Sequence, residues 1–218
     1  SWLREGEKEI FFCKIVWIMD RPKILNKAQD DSLQENGFVI LQNVIRQELI
    51  DKHLELCKSS MTNSSTDDPV FWNSMWNLPE ADASDLNNKL KEDLLPILQK
   101  HLTNFRVPQI TFMVKLMGEN TFSSPHRDFS ILNENEQQYW NAWAPLVEID
   151  ENNGPLFVIP NSHKNYGEIR PFFEDFKFEY LNDKFQEIKQ LVYPKRGDLV
   201  LYLEKTVHGS ISNQTQQI

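Results

Sequence analysis

Apolar positions recur with a helical period in the first half of this chain and with a strand period in the second. The change falls near residue 107. Residues 27–35 are polar and helix-prone. Gly37 opens the short apolar run Phe38-Val39-Ile40-Leu41, which reads as a strand behind a glycine turn. Residues 46–56 place apolar side chains on one face of a charged segment, an amphipathic helix. Residues 62–68, rich in Ser, Thr and Asp, predict a loop. A second helix is predicted over 85–101, with Leu86, Leu90, Leu94, Ile97 and Leu98 at helical spacing. Pro96 lies inside it and would kink it.

From residue 107 onward the segments 109–117, 139–149, 155–159, 191–193 and 199–203 read as strands. Short strands at irregular spacing, with turns between them, fit a double-sheet jelly roll. Residues 171–190 break this rhythm and read as an insert between strands. Phe172, Phe173, Phe176, Phe178, Tyr180 and Phe185 would pack against a sheet face or, in part, wall a substrate. The expected organisation is a single domain over 1–218: an N-terminal extension (1–35), a helical part (36–106) and a jelly-roll core (107–218).

Composition supports one folded domain. The chain has 218 residues, 40% of them hydrophobic, enough to bury a sizeable core. Its formal net charge of -9, with no basic stripe, disfavours nucleic-acid binding. The longest apolar run, residues 10–19, is interrupted by Lys14. It is too short to span a bilayer and lacks a signal-peptide cleavage pattern. Cys13 and Cys57 lie far apart, outside any Cys-x-x-Cys pair, and read as free thiols of a reducing compartment. A cytoplasmic location with no membrane partner is expected.

Two stretches carry the candidate chemistry. Ser124-Pro125-His126-Arg127-Asp128-Phe129 contains a His-x-Asp pair. Thr206-Val207-His208-Gly209-Ser210 places a lone histidine after the apolar run that ends at Leu203. Two imidazoles and one carboxylate can occupy one face of an octahedral metal and leave the other open, the facial triad of non-haem Fe(II) oxygenases. A strand ending at His126 would turn His126 and Asp128 to the same side. The spacing alone is also met by a loop ion pair between Asp128 and Arg127. The same donors suit catalytic zinc, although no general base stands near the motif.

The text around these stretches narrows the reading. Trp140-Asn141-Ala142-Trp143 is followed by Glu151-Asn152-Asn153-Gly154-Pro155-Leu156, then Pro160-Asn161-Ser162-His163, then Gly197-Asp198, and finally His208-Gly209-Ser210-Ile211-Ser212-Asn213. This order resembles the phytanoyl-CoA dioxygenase-like family of Fe(II)/2-oxoglutarate oxygenases, over roughly residues 36–218. Asn161 stands where that family usually has Gly.

The resemblance implies an α+β fold with a mainly β core: a double-stranded β-helix, cupin-like, with N-terminal helices on the major sheet. It implies Fe(II) bound by His126, Asp128 and His208, with 2-oxoglutarate and O2 as co-substrates. His163 would belong to its turn and not to the metal. Ser210 matches a serine that bonds the distal carboxylate of 2-oxoglutarate, and Trp143 a tryptophan near the co-substrate. Asn141, on the same strand face, could bond a carboxylate oxygen. Lys115 is a candidate cation for the co-substrate or an outward-facing surface lysine.

The family's arginine for the distal carboxylate falls where this chain reaches Ile218, so the native chain is expected to continue and supply it. Related halogenases replace the metal carboxylate with Ala or Gly; Asp128 therefore favours oxygenation. The implied activity is hydroxylation of a small molecule with release of succinate and CO2. An acyl-CoA substrate is disfavoured, because no Lys/Arg cluster stands near a Gly-rich turn. The alternatives are a non-catalytic binding or scaffold member of the fold, and a zinc hydrolase.

Overall fold

The computed structural model of the chain describes residues 10–19, 26–62, 64, 66–102, 105–128, 138–164 and 182–215. Strand β1 (Ile10–Met19) is followed by α1 (Lys27–Asn36), β2 (Phe38–Leu41), α2 (Gln47–Thr62), β3 (Phe71–Asn73), α3 (Ser74–Asn77) and α4 (Glu80–His101). Then come β4 (Phe105–Lys115), β5 (Ser123–His126), β6 (Gln138–Pro145) and β7 (Leu156–Val158). The chain continues through α5 (Asn182–Ile188), β8 (Gln190–Val192), β9 (Leu199–Leu203) and β10 (His208–Ser210). The strands form two antiparallel sheets, a six-stranded one in the order β2-β9-β6-β1-β4-β3 and a four-stranded one in the order β5-β10-β7-β8.

Local sequence explains the helix boundaries. Asn26 and Gln29 form a reciprocal capping box at the start of α1, satisfying two backbone donors that the first turn leaves open. Gly37 ends the helix with φ 81°, a left-handed conformation that glycine adopts without strain, and β2 begins at the next residue. Helix α4 runs through Pro96 to His101. Its buried residues Leu86, Leu90, Leu94 and Leu98 repeat every four positions and make one apolar stripe.

That stripe packs, with Leu33, Ile50 and Cys57, on one face of the six-stranded sheet. The sheet supplies Ile110, Phe112 and Val114 from β4, Trp140 and Ala142 from β6, and Leu199, Leu201 and Leu203 from β9. Each such leucine contributes about 1.5–3 kcal/mol of burial. The alternate residues face the other way. Trp143, Val200 and Tyr202 pack with Val158 and Val192 of the four-stranded sheet. The larger sheet is therefore covered on both faces, and its inner face meets the smaller sheet.

One expectation changes here. Residues 10–19, expected within an N-terminal extension, form β1, inserted between β6 and β4 in the larger sheet. Of the aromatic insert, residues 172–180 lie outside the described residues. Phe185 sits on α5 and packs with Phe157, Ile159 and Val207 on the outer face of the smaller sheet, away from the inter-sheet space. No helix among the described residues is long and apolar enough to cross a membrane.

Candidate metal centre

Strand pairing brings the two histidines together. His208 on β10 lies directly opposite His126 on β5 in the antiparallel register, so both side chains leave the same face. Their rings stand 4.4 Å apart. Asp128 follows two residues after β5 ends. One ligand atom from each of His126, Asp128 and His208 lies within 4.8 Å of the others. His126 Nε2 is 4.0 Å from Asp128 Oδ1, and His208 Nε2 is 3.6 Å from Asp128 Oδ2.

The backbone selects which nitrogen each imidazole presents. His126 Nδ1 is 2.7 Å from the carbonyl of Ser124, and His208 Nδ1 is 2.9 Å from the carbonyl of Thr206. A carbonyl only accepts, so each Nδ1 carries the proton and donates it. Each Nε2 then keeps a lone pair directed at the carboxylate. Metal-bound histidines are held by such outer contacts, which fix both tautomer and ring direction. The donor set, two neutral nitrogens and one carboxylate, suits Fe(II).

The turn before His208 is pinned from two sides. Ser162 Oγ accepts the Val207 N–H at 2.8 Å, and Ile159 N–H donates to the Val207 carbonyl at 2.8 Å. His163, the rival histidine, turns away: its Nε2 is 3.0 Å from the Gln34 carbonyl at the end of α1. Asp198 is equally structural. Its carboxylate accepts the backbone N–H groups of Asn43 and Lys195, tying the turn before β9 to the turn after β2.

The triad stands at one end of a cavity between the two sheets. The larger sheet contributes Phe71, Met113, Lys115, Trp143 and Tyr202; the smaller contributes Ser123, Leu156 and Ser210 beside the histidines. Lys115 follows the inner-facing positions Thr111 and Met113 on β4, opposite in parity to the core residues Phe112 and Val114. The outward-facing alternative for Lys115 is thereby corrected: the residue is 1% exposed and its Nζ donates to Ser210 Oγ at 2.5 Å. Nζ also lies 5.0 Å from the centre of the Phe71 ring. No carboxylate pairs with it among the described residues. Burial alone lowers its pKa to about 7.

Gly154 makes room for this lysine. Its φ is +79°, and a Cβ there would stand 2.7 Å from Lys115 Cδ and Cε and 2.8 Å from the Ile211 carbonyl. Gly154→Ala is therefore expected to cost about 1–3 kcal/mol of stability through backbone strain and overlap. A denaturant titration with an unchanged midpoint would contradict this.

A profile of the phytanoyl-CoA dioxygenase (PhyH) family matches residues 33–218. The chain belongs to that family. Solved structures resembling this PhyH-family fold include SnoK, a non-haem α-ketoglutarate-dependent carbocyclase from nogalamycin biosynthesis. It is 18% identical with a TM-score of 0.60, covering 89% of this chain and 82% of that one. The epimerase SnoN, solved with Fe3+, α-ketoglutarate and nogalamycin RO, is 14% identical with a TM-score of 0.60, covering 87% and 78%. HygX from Streptomyces hygroscopicus, solved with nickel and 2-oxoglutarate bound, is 16% identical with a TM-score of 0.57, covering 88% and 83%. At these identities the likeness is one of fold. A search of curated proteins finds no match.

Within the PhyH-family chain the expected site residues fall in two groups. His126, Asp128, His208, Ser210, Trp143 and Lys115 converge on the cavity and its metal end. Asn141 points to the same side of β6 as Trp143, but its amide engages the protein itself: Nδ2 donates to Asp128 Oδ2 at 2.5 Å. The carboxylate oxygen that it bonds in the structure is thus the protein's own.

Tyr202 was given no role by the sequence motifs, and Asn213, the last residue of the His208–Asn213 stretch, was given none of its own. The Tyr202 ring stands 4.8 Å from that of His208, and burial, with Asp128 and Glu204 nearby, raises its pKa well above the usual value. Period-two alternation in β9 marks it, since it opposes Leu201 and Leu203. Asn213, fully buried, donates from Nδ2 to the Lys115 carbonyl at 3.3 Å and so holds the end of β4.

Proposed function

We propose that this chain is an Fe(II)- and 2-oxoglutarate-dependent dioxygenase that hydroxylates a small molecule, with His126, Asp128 and His208 as the metal ligands. The observation that carries this is the pair of Nδ1-to-carbonyl bonds that turns both imidazole Nε2 atoms toward the Asp128 carboxylate. The two sheets are read as the walls of a double-stranded β-helix. Iron and 2-oxoglutarate agree with the bound groups of the structural neighbours.

Fe(II) with 2-oxoglutarate would supply the oxidising chemistry: substrate R–H, 2-oxoglutarate and O2 give R–OH, succinate and CO2. The protein's part is to bind, orient and exclude water. Lys115 and Ser210 face the cavity from opposite sheets and suit the distal carboxylate, since a buried carboxylate needs a cationic or hydrogen-bonding partner. Trp143 closes the inner wall beside them. The cavity lining contains no second carboxylate among the described residues, so the zinc-hydrolase reading lacks a general base.

Incubation with Fe(II), 2-oxoglutarate and 18O2 tests the reaction class. Succinate carrying one 18O atom is the expected product, and unlabelled succinate or none would contradict it. Because Asp128 fills the position that chloride would need, products formed in excess chloride should carry oxygen only. A chlorinated product, seen by mass spectrometry, would refute that role.

Lys115 gives a pH signature. Holding the distal carboxylate requires the protonated amine, and the free enzyme loses that proton as pH rises through about 7. 2-Oxoglutarate affinity should therefore be greatest below that point and decline above it. A binding titration whose affinity stays constant well above pH 7 would rule out the ammonium as the partner.

A further inference from the structure

Asn141 is a polar side chain at a fully buried position of the larger sheet. It lies mid-strand in β6, paired with Val16 of β1 on one side and Tyr202 of β9 on the other, so its backbone is fixed from both directions. Its side chain is 0% exposed. Nδ2 donates to Asp128 Oδ2, while Oδ1 is buried and meets no donor among the described residues. A buried amide with half its capacity unmet lowers stability relative to an apolar residue of the same shape. What the amide contributes is its single bond to Asp128.

We infer that Asn141 is a positioning residue that makes Asp128 a one-oxygen metal ligand. This rests on the metal-site reading above. A carboxylate can bind a cation through one oxygen or both. Chelation through both would occupy a position on the face that must stay open. An amide N–H donating to Oδ2 draws on that oxygen's lone pair and charge, which weakens it as a metal donor and leaves Oδ1 to the metal. The bond also fixes the rotation of a side chain that lies beyond the end of β5. Asn141 is held in the ladder on both sides, whereas Asp128 lies beyond the end of its strand, so the bond ties the ligand to the sheet.

Cobalt(II) is the probe, because its visible absorption reports binding and coordination without turnover. Asn141→Leu removes the donor at similar volume. The expected result is Co(II) affinity weaker by about tenfold to a hundredfold, the usual cost of losing an outer contact to a metal ligand, with an altered Co(II) spectrum. The same substitution in an Asp128→Ala background should leave the remaining affinity unchanged, since the group it positions is gone. An equal loss in both backgrounds would reduce Asn141 to core packing and overturn the inference, as would unchanged affinity in a folded Asn141→Leu protein. If Asn141→Leu does not fold, the smaller Asn141→Ser carries the same cycle with the same two outcomes. His208→Ala in the parallel assay separates the levels of failure. Affinity kept there overturns the metal site and this inference with it. Affinity lost there but kept in Asn141→Leu overturns only the positioning role.

Discussion

His208→Ala is expected to abolish iron binding and succinate formation together. His208 is buried against Tyr202, its Nδ1 is committed to the Thr206 carbonyl, and its Nε2 completes the three-donor cluster. The other histidines are placed elsewhere: His163 is bound to α1, the His53 Nε2 lies 3.0 Å from Asp93 between α2 and α4, and His101 is the last residue of α4. His126→Ala should behave in the same way. Iron content by elemental analysis, at equal folded protein, makes the comparison. Unaltered occupancy in both variants would end the assignment of the triad.

Lys115→Met should leave iron binding intact and weaken 2-oxoglutarate binding sharply. Methionine keeps most of the buried stem beside Gly154 but removes the cation. A carboxylate left in that cavity without its charged partner loses about 3–5 kcal/mol, roughly a hundredfold to a few thousandfold in Kd. Without ligand the variant should be at least as stable as the parent, because a buried ammonium without a counter-charge is itself costly. Isothermal titration with 2-oxoglutarate, using a redox-inert metal in place of iron, measures the first effect, and thermal melting measures the second. Equal 2-oxoglutarate affinity in the two proteins would place the carboxylate's partner elsewhere.

The parts of this architecture that sequence revealed are those with a local signature. Residues 27–35 and 85–101 announced α1 and α4 through helix-prone composition and leucine spacing. Gly37 announced the start of β2, and the motif order announced the triad. What stayed hidden depends on the second sheet. Residues 10–19 carry almost no alternation, and a short apolar run gives no period that tells a strand from a buried helix segment. Their partners, β4 and β6, lie far along the chain.

The same cause explains Lys115 and Asn141. A polar residue alternating with core residues ordinarily faces water, and Lys115 beside Val114 fits that pattern. Only the smaller sheet, packed over the inner face, turns these positions into cavity wall and ligand support. β3 and β5 are three and four residues long and carry too little pattern to stand out. The register that sets His126 against His208 follows from pairing, which no single strand encodes.

The reaction class is tested most directly by loading the purified chain with Fe(II) and following 2-oxoglutarate in the presence and absence of O2. One iron per chain, with oxygen-dependent release of succinate and CO2 in equal amounts, is the result expected of a dioxygenase built on His126, Asp128 and His208. A chain that holds iron through these residues yet forms no succinate, even with a library of small-molecule substrates supplied, would contradict the account.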